Sequence, residues 1–212
     1  MLLVDHPGAP QTALFAVGLG LPRSTPDYAP VQVVNTMLGG LFSSRINMNL
    51  REEHGYTYGA FSRFLFLRGT GPFLAGASVR TDVTAPAAKE LFKELDRIRT
   101  SPLTADELKM SKDSLIRSLP GDFETTTGTV AQVANLWTYN LPLDYYRTYP
   151  AKIEAVTSEQ AQQASTQYIH PENMLLIAVG DGSKIRSGLE ELKLGPIETW
   201  SNDAQPTVTP SK

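Results

Sequence analysis

The sequence predicts an α+β fold in which helices cover a largely antiparallel sheet. Three observations support this class. Residues 56–80 carry the pattern of a β-hairpin, residues 84–170 show apolar residues at helical steps of three and four, and Met174 to Val179 is a continuous apolar run. Strands and helices are therefore grouped rather than alternating, which favours an antiparallel sheet over a doubly wound one.

The first predicted elements are a strand and a helix. Thr12 to Leu21 contains apolar and small residues without a charge, which is typical of a buried strand. The helix after it has an N-cap and a proline in Thr25-Pro26-Asp27, and Gly39-Gly40 interrupts its apolar face. Pro30 lies about one turn into this helix and lacks a backbone donor, so a start at Ala29 is the alternative.

A second helix and the hairpin follow. The helix begins at Ser43 or Ser44 and runs to His54, and Gly55 is the expected left-handed residue that ends it. One strand is predicted from Tyr56 to Leu67 and its partner from Phe73 to Arg80, with Gly69-Thr70-Gly71 as the turn.

The second half of the chain is predicted to be mostly helical. Helices are expected after Thr84, from Thr104 to Leu119, from Thr126 to Tyr139 and from Thr157 to His170. Two of these begin with the capping-box pattern, Thr104–Glu107 and Thr157–Gln160. Met174 to Val179 is predicted to be a central strand. Residues 1–200 are interpreted as one domain and Ser201 to Lys212 as a loose polar tail.

Composition excludes several classes of protein and site. The 212 residues contain no cysteine, so disulfides, thiol nucleophiles and cysteine-based zinc sites are absent. The net charge is −3 without a basic block, so we expect no nucleic-acid partner. No apolar run reaches the roughly 18 residues that cross a membrane.

The N-terminal residues do not resemble a signal peptide. Met1 to Pro7 is short and soon charged, so we expect the chain to begin inside a structured domain. It is then either complete and small or cut from a longer protein. The sequence leaves the compartment open between bacterial periplasm and cytoplasm.

A zinc site is nearly but not fully present. Leu50-Arg51-Glu52-Glu53-His54 matches the last two positions of the inverted zinc motif H-x-x-E-H, but Leu50 cannot donate a lone pair. The other histidines, His6 and His170, have no companion at ligand spacing. We therefore expect no metal in this chain.

Two other chemistries are weakly supported. No G-x-S-x-G elbow accompanies the serines, which argues against a serine hydrolase. Gly180-Asp181-Gly182 follows an apolar strand, but this tripeptide is common in loops and no phosphate-binding lysine pattern follows it.

The functional candidates are concentrated between Asn49 and Gly59. Arg51 and Tyr56 lie five residues apart across a predicted helix end and strand start. In the structural interpretation, Arg51 complements the negative helix end and Tyr56 half-buries its ring. In the functional interpretation, both are donors at neutral pH and converge on a carbonyl oxygen as it becomes an oxyanion.

The same segment carries a family resemblance. Gly39 to Arg45, followed by Asn49 to Gly59, resembles the insulinase/pitrilysin-type zinc peptidases, most closely the bacterial members that are similar to mitochondrial processing peptidases. The hairpin up to Asp82, the capped helix after it and the late apolar strand also fit, so the resemblance extends to about Val179.

The resemblance implies a shared active site. In this family, homologous α+β domains enclose a chamber; one half carries the zinc motif, and another supplies an arginine and a tyrosine. Arg51 and Tyr56 match that pair, which implies the zinc-free half of a metalloendopeptidase, with Arg51 and Tyr56 as catalytic and substrate-binding residues. Glu53 and His54 then belong to the arginine–tyrosine segment and are not a decayed metal site.

The implied partners are a zinc-bearing domain or subunit and a peptide substrate. Because family members usually contain at least two such domains, the isolated chain is expected to be inactive. The alternative is a catalytically inert structural or peptide-binding module of the same family.

Overall fold

One six-stranded sheet organises the molecule, and its strand order places β3 at an edge. The structure is a computed structural model and describes residues 1–201 and 203. The strands are β1 Leu2–Asp5, β2 Gln11–Leu19, β3 Thr57–Phe64, β4 Pro72–Arg80, β5 Leu175–Gly180 and β6 Glu198–Trp200. Their order across the sheet is β3-β4-β2-β5-β1-β6.

Eight helices accompany the sheet in the described part of the chain. They are α1 Tyr28–Asn35, α2 Arg45–Asn47, α3 Thr84–Thr100, α4 Ala105–Ser118, α5 Thr126–Thr138, α6 Tyr145–Glu154, α7 Ser158–Tyr168 and α8 Gly182–Glu191. Both α1 and α2 continue as π-helical turns, over Thr36–Gly40 and Met48–Glu53 respectively. None of the described helices is long and apolar enough to cross a membrane.

The predicted fold class is confirmed. Strand β2 pairs antiparallel with both β4 and β5, and β4 pairs antiparallel with β3, while β1 runs parallel to β5 and β6. Strand β5 lies inside the sheet, as its apolar run predicts. The capping boxes at Thr104 and Thr157 are both formed.

The structure contains four elements that the sequence did not predict: β1, α6, α8 and β6. Strand β1 has only four residues, too few for a periodic pattern, and Leu2 pairs with Ile177 far along the chain. Strand β6 has three residues. Such short strands exist because the sheet supplies their hydrogen bonds, so local sequence carries little signal for them.

Two predicted boundaries were wrong. Helix α1 begins at Tyr28, so Pro30 lies in its first turn, where a backbone N–H has no intrahelical acceptor in any case. Strand β3 ends at Phe64 rather than Leu67. The connection from β3 to β4 is therefore longer than predicted. It requires glycine at position 71, because a Cβ there would lie 1.7 Å from the carbonyl oxygen of Leu65.

A part-buried ion pair joins α2 to α4. Arg45 binds Glu107 with two hydrogen bonds, from Nε to Oε1 at 2.8 Å and from Nη2 to Oε2 at 2.7 Å. The same Oε2 accepts the backbone N–H of Thr104 at 2.9 Å, so one carboxylate caps α4 and anchors α2. The hydrogen bond from Arg45, against the effect of burial, holds the pKa of Glu107 below its usual value.

The division into residues 1–200 and a tail stays a prediction. Apart from Ser201 and Asp203, the expected polar tail falls outside the described residues.

The Gly180-Asp181-Gly182 turn is filled by its own hydrogen bonds. Asp181 accepts from the Ser183 hydroxyl at 2.6 Å and the Gly8 backbone N–H at 3.1 Å, and Lys184 Nζ lies 3.0 Å away. The hydrogen bonds from Ser183 and Lys184 lower the pKa of Asp181 to about 2.

Asp181→Asn should destabilise the fold in a pH-dependent way. The folded-state pKa of Asp181 is about 2, which is below the unfolded value of about 3.9. The ionised carboxylate therefore stabilises the folded state above about pH 4, and this stabilisation is lost as the pH falls through about 2. The melting temperatures of wild type and variant should differ at neutral pH and converge towards pH 2.5, roughly. Glu190→Gln, which removes an exposed partner of Arg186, is the control. A difference in melting temperature that stays constant with pH would contradict a stabilising role for the ionised Asp181 carboxylate.

Candidate functional site

The candidate segment is a helix end followed by a turn into the edge strand. The π-helical turn Met48–Glu53 ends at Gly55, whose φ of +62° is left-handed, as the sequence predicts. The N–H of Gly55 donates to the carbonyl of Arg51 at 3.1 Å, and that of Tyr56 donates to Leu50 at 2.8 Å. These bonds turn the chain back, so that Tyr56 leads into β3.

Asn47 joins this helix end to the edge strand. Its side-chain Nδ2 donates to the carbonyl of Ala60 at 2.6 Å, and its Oδ1 accepts the N–H of Ala60 at 2.8 Å. The β3–β4 pairing is irregular between Thr57 and Ala60, which is where Asn47 takes over the backbone hydrogen bonds. Asn47 is buried, so these bonds are shielded from water and fix the start of β3 against α2.

Asn49 fixes the other side of the π-helical turn to α3. Its Nδ2 donates to Glu90 Oε2 and to Glu94 Oε1, both at 2.9 Å. Glu94 is buried, while Glu90 also pairs with Lys93 at 2.7 Å. Burial opposes the charged form of Glu90, yet hydrogen bonds from Lys93 and Asn49 outweigh it and hold its pKa below the usual value.

Arg51 lies against an exposed aromatic ring. Its guanidinium carbon is 3.2 Å from the centroid of the Phe42 ring, and Nη2 donates to Glu52. Phe42 itself is 71% exposed, so the cation–π pair faces solvent on its outer side. The Nε atom is buried and has no partner among the described residues. Arg51 therefore keeps donors that no protein acceptor uses.

Tyr56 stacks on His54 and is partly buried against the core. The two rings are 4.9 Å apart and nearly parallel, at 11°. His54 Nε2 lies 3.8 Å from Glu90 Oε2, outside hydrogen-bond distance. Tyr56 also borders a cleft of about 420 Å³ between α3 and α8. Its ring is held from one side by the imidazole, and the described residues offer its hydroxyl no hydrogen bond.

The two predicted site residues share the turn but have different neighbours. Arg51 contacts Phe42 and Glu52, whereas Tyr56 contacts His54; no hydrogen bond or ring contact joins the two in the described chain. The turn thus brings two donors to one edge of the sheet without pairing them.

Sequence reasoning overlooked Tyr58, which lies two residues beyond Tyr56. Its side chain is 93% exposed, whereas Tyr56 is partly buried. Residues two apart on a strand point to the same face, although the irregularity after Thr57 disturbs this alternation here. A second phenol on the edge strand is therefore accessible to a ligand. Only the exposure, which sequence does not give, distinguishes the two tyrosines.

The segment that resembles H-x-x-E-H does not fit a metal. Leu50 is fully buried in the core, Glu53 is exposed, and the His54 ring lies against Tyr56. The two ring nitrogens of His170 lie within hydrogen-bond distance of Glu172 Oε1 and the Gln167 carbonyl oxygen. No group of three or more histidine, aspartate or glutamate side chains that could hold a metal occurs among the described residues. The donor set is wrong for zinc, so no step of the chemistry is assigned to a metal in this chain.

Comparison with known proteins identifies the family. Residues 2–115 match the family model described as the peptidase M16 inactive domain. The chain belongs to the peptidase M16 inactive-domain family. This confirms the resemblance to insulinase-type peptidases and to their zinc-free half. No curated protein sequence matches the chain.

Solved structures agree with the fold. The peptidase M16 inactive domain from Pseudomonas fluorescens has a TM-score of 0.78 and 28% identity, over 84% of this chain and 43% of that one. A protease from Helicobacter pylori has a TM-score of 0.76 and 17% identity over the same shares, 84% and 43%. A putative zinc protease from Bordetella pertussis has a TM-score of 0.68 and 16% identity, over 82% of this chain and 96% of that one. The chain thus spans 43% of the length of the first two relatives.

Gly55→Ala should destabilise the site segment through its backbone conformation. A Cβ at Gly55 would meet no atom within 4 Å, so the cost comes from the left-handed φ alone, about 1–2 kcal/mol. Urea unfolding measures it. Gly69→Ala is the matched control, because it also meets nothing within 4 Å and has no left-handed φ. Equal stabilities of the two variants would contradict the role given to Gly55.

Proposed function

We propose that this chain is the zinc-free half of a zinc metalloendopeptidase and supplies Arg51 and a tyrosine to bind the substrate carbonyl. The observation that carries the proposal is the turn at Gly55, whose backbone hydrogen bonds lead the chain from Arg51 to Tyr56 and into the edge strand, in a domain of the M16 inactive family. Tyr56 is the tyrosine expected from the sequence, and Tyr58 is the more exposed one.

The chemistry needs donors that are already in place when charge develops. Peptide hydrolysis converts a planar carbonyl into an oxyanion, and preorganised donors stabilise that charge. Asn47 and Asn49 fix the segment on both sides through buried hydrogen bonds, which supports preorganisation. A guanidinium offers five N–H donors and a phenol offers one O–H donor, so both residue types can donate to an oxyanion.

Zinc and its activated water would come from a partner half. Family membership, and the description of a structural relative from Bordetella pertussis as a putative zinc protease, support this assignment. The chain spans less than half the length of the first relatives, which leaves room in such proteins for a second half. One structural relative of 16% identity is described as a periplasmic protease.

Helix α5 offers an uncharged surface for that partner. None of its residues is buried, and Val130, Val133 and Trp137 are 62%, 57% and 91% exposed. Their spacing of three and four places them on one face of the helix. Residues 125–143 contain no charged side chain. An exposed apolar face of this kind marks an interaction site.

When the chain is combined with its zinc-bearing half, Arg51→Ala should reduce peptide cleavage about 100-fold or more. One of the two variants Tyr56→Phe and Tyr58→Phe should cause a loss of the same size. Both Tyr56→Phe and Tyr58→Phe are measured by kcat/KM, since the larger loss identifies the hydroxyl that acts. Arg63→Ala removes an exposed arginine of the same strand and is the control. Full activity in all three site variants would instead support the alternative, a catalytically inert structural or peptide-binding module.

Trp137→Glu should abolish pairing with the zinc-bearing half, because a charge on the apolar face would be buried without a partner. Sedimentation velocity of the mixed halves measures complex formation. Leu194→Glu is the control, since Leu194 is an exposed apolar residue after α8, outside this face. Undiminished pairing of the Trp137 variant would show that α5 is not the contact surface.

A further inference from the structure

A cleft of about 450 Å³ opens between the segment that leads into α1 and the connection from α5 to α6. Its walls include four aromatic rings, Tyr28, Tyr139, Tyr145 and Tyr149. The volume lies within the range of small-ligand sites in proteins, which are largely apolar with a few placed polar groups.

Two cations line this cleft, and the described residues give neither of them a carboxylate partner. The guanidinium carbon of Arg23 is 3.5 Å from the Tyr28 ring centroid and 5.0 Å from that of Tyr145. Arg23 Nη2 donates to the Tyr145 hydroxyl at 2.6 Å. Lys152 Nζ is 5.4 Å from the Tyr145 ring centroid. No aspartate or glutamate lines the cleft.

Arg23 is fixed in position by a backbone hydrogen bond and by two tyrosine side chains. The backbone N–H of Arg23 donates to the carbonyl of Leu67 at 2.7 Å, which ties this segment to the β3–β4 connection. Stacking on Tyr28 and the bond to Tyr145 fix the guanidinium plane. A fixed guanidinium with unused donors is suited to a planar carboxylate, which it can bind with two hydrogen bonds.

A tyrosine hydroxyl adds a third donor. Tyr149 is buried and lines the cleft. The described part of the chain offers its hydroxyl no hydrogen bond. Burial raises the pKa of Tyr145 to about 12 and raises that of Tyr149 as well. Both hydroxyls therefore stay protonated over the physiological range.

Charge distinguishes this cleft from the one on the other side of Arg23. The neighbouring cleft shares six lining residues and is also lined by Asp122; the shared residues are Arg23, Tyr28, Tyr139, Leu141, Tyr145 and Tyr149. An anion is disfavoured beside that carboxylate and favoured on the Lys152 side. The anionic part of a ligand is therefore expected between Arg23 and Lys152, with its apolar part against the tyrosine rings.

We propose that the cleft between Arg23 and Lys152 binds a carboxylate attached to an aromatic or branched apolar side chain, as at the free C-terminus of an apolar peptide. Arg23 and Lys152 hold the carboxylate, and Tyr28, Tyr139 and Tyr145 surround the last side chain. Strand β3 lies between the two places along the chain: Tyr56 precedes its first residue, and Arg23 is bonded to Leu67 beyond its last residue. Binding here requires neither Arg51 nor a partner half, so it stands or falls separately from the proposed catalytic role.

The test compares two peptides that differ in one group. Isothermal titration of the full chain with N-acetyl-Leu-Phe as the free acid should give measurable binding, and the C-terminal amide should bind at least roughly tenfold more weakly, because the charge-assisted hydrogen bonds are lost. Equal affinities of acid and amide would overturn the proposal. Competition by inorganic phosphate as strong as by the acid would overturn it too, because it would indicate a general anion site.

Variants locate the binding to the cleft. Arg23→Gln should lower the affinity for the free acid to that for the amide. Lys152→Gln should lower the affinity for the free acid several-fold. Lys152 is exposed and its change leaves the packing intact, so the proposal remains testable if Arg23→Gln impairs folding. Arg147→Gln removes an exposed cation of the same helix, paired with Asp144, and should leave affinity unchanged. Unaltered affinity in Lys152→Gln and in folded Arg23→Gln would contradict the assignment.

Discussion

The extra residue in the π-helical turn between Met48 and Glu53 determines where the candidate site lies. A helix that widens just before it ends changes the direction of the side chains that follow. Here Leu50 stays in the core, while Arg51 lies against the exposed ring of Phe42. The widened turn is stable because buried asparagines bind it on both sides, Asn47 to the edge strand and Asn49 to α3. Such π-turns are common at functional sites, since they place a side chain that a regular helix would not.

The same constraint explains why the similarity to a zinc motif has no metal-binding consequence. A metal ligand at position 50 would have to turn away from the core, yet this position is the apolar anchor of the turn and is completely buried. A histidine there would bury a polar ring among apolar neighbours, which costs free energy unless a hydrogen bond compensates. The glutamate and histidine of the near-match then serve local roles: Glu53 is exposed, and His54 supports the ring of Tyr56.

The sequence predicted what is locally encoded and failed where contacts are distant. The capping boxes at Thr104 and Thr157 and the left-handed Gly55 follow from short patterns, and all three are present. Strand β1 could not be found, because its hydrogen bonds come from β5 and β6 near the other end of the chain. The candidate segment was located correctly as a helix end and strand start. Its support by Asn47, and the exposure of Tyr58, depend on packing that no spacing rule contains.

Helix α5 exposes most of the large apolar side chains that an amphipathic helix usually buries. Its inward residues include Gln132, whose Oε1 accepts from the Tyr146 hydroxyl at 2.7 Å, while Val130 and Trp137 face outward. A helix of an isolated domain normally buries its apolar face, because this burial is its main source of stability. Leu136 packs against the core, but Val130, Val133 and Trp137 are exposed, so α5 leaves most of its large apolar side chains in water. A second surface that covered the outer face would remove these side chains from water, which supports the proposed pairing with a zinc-bearing half.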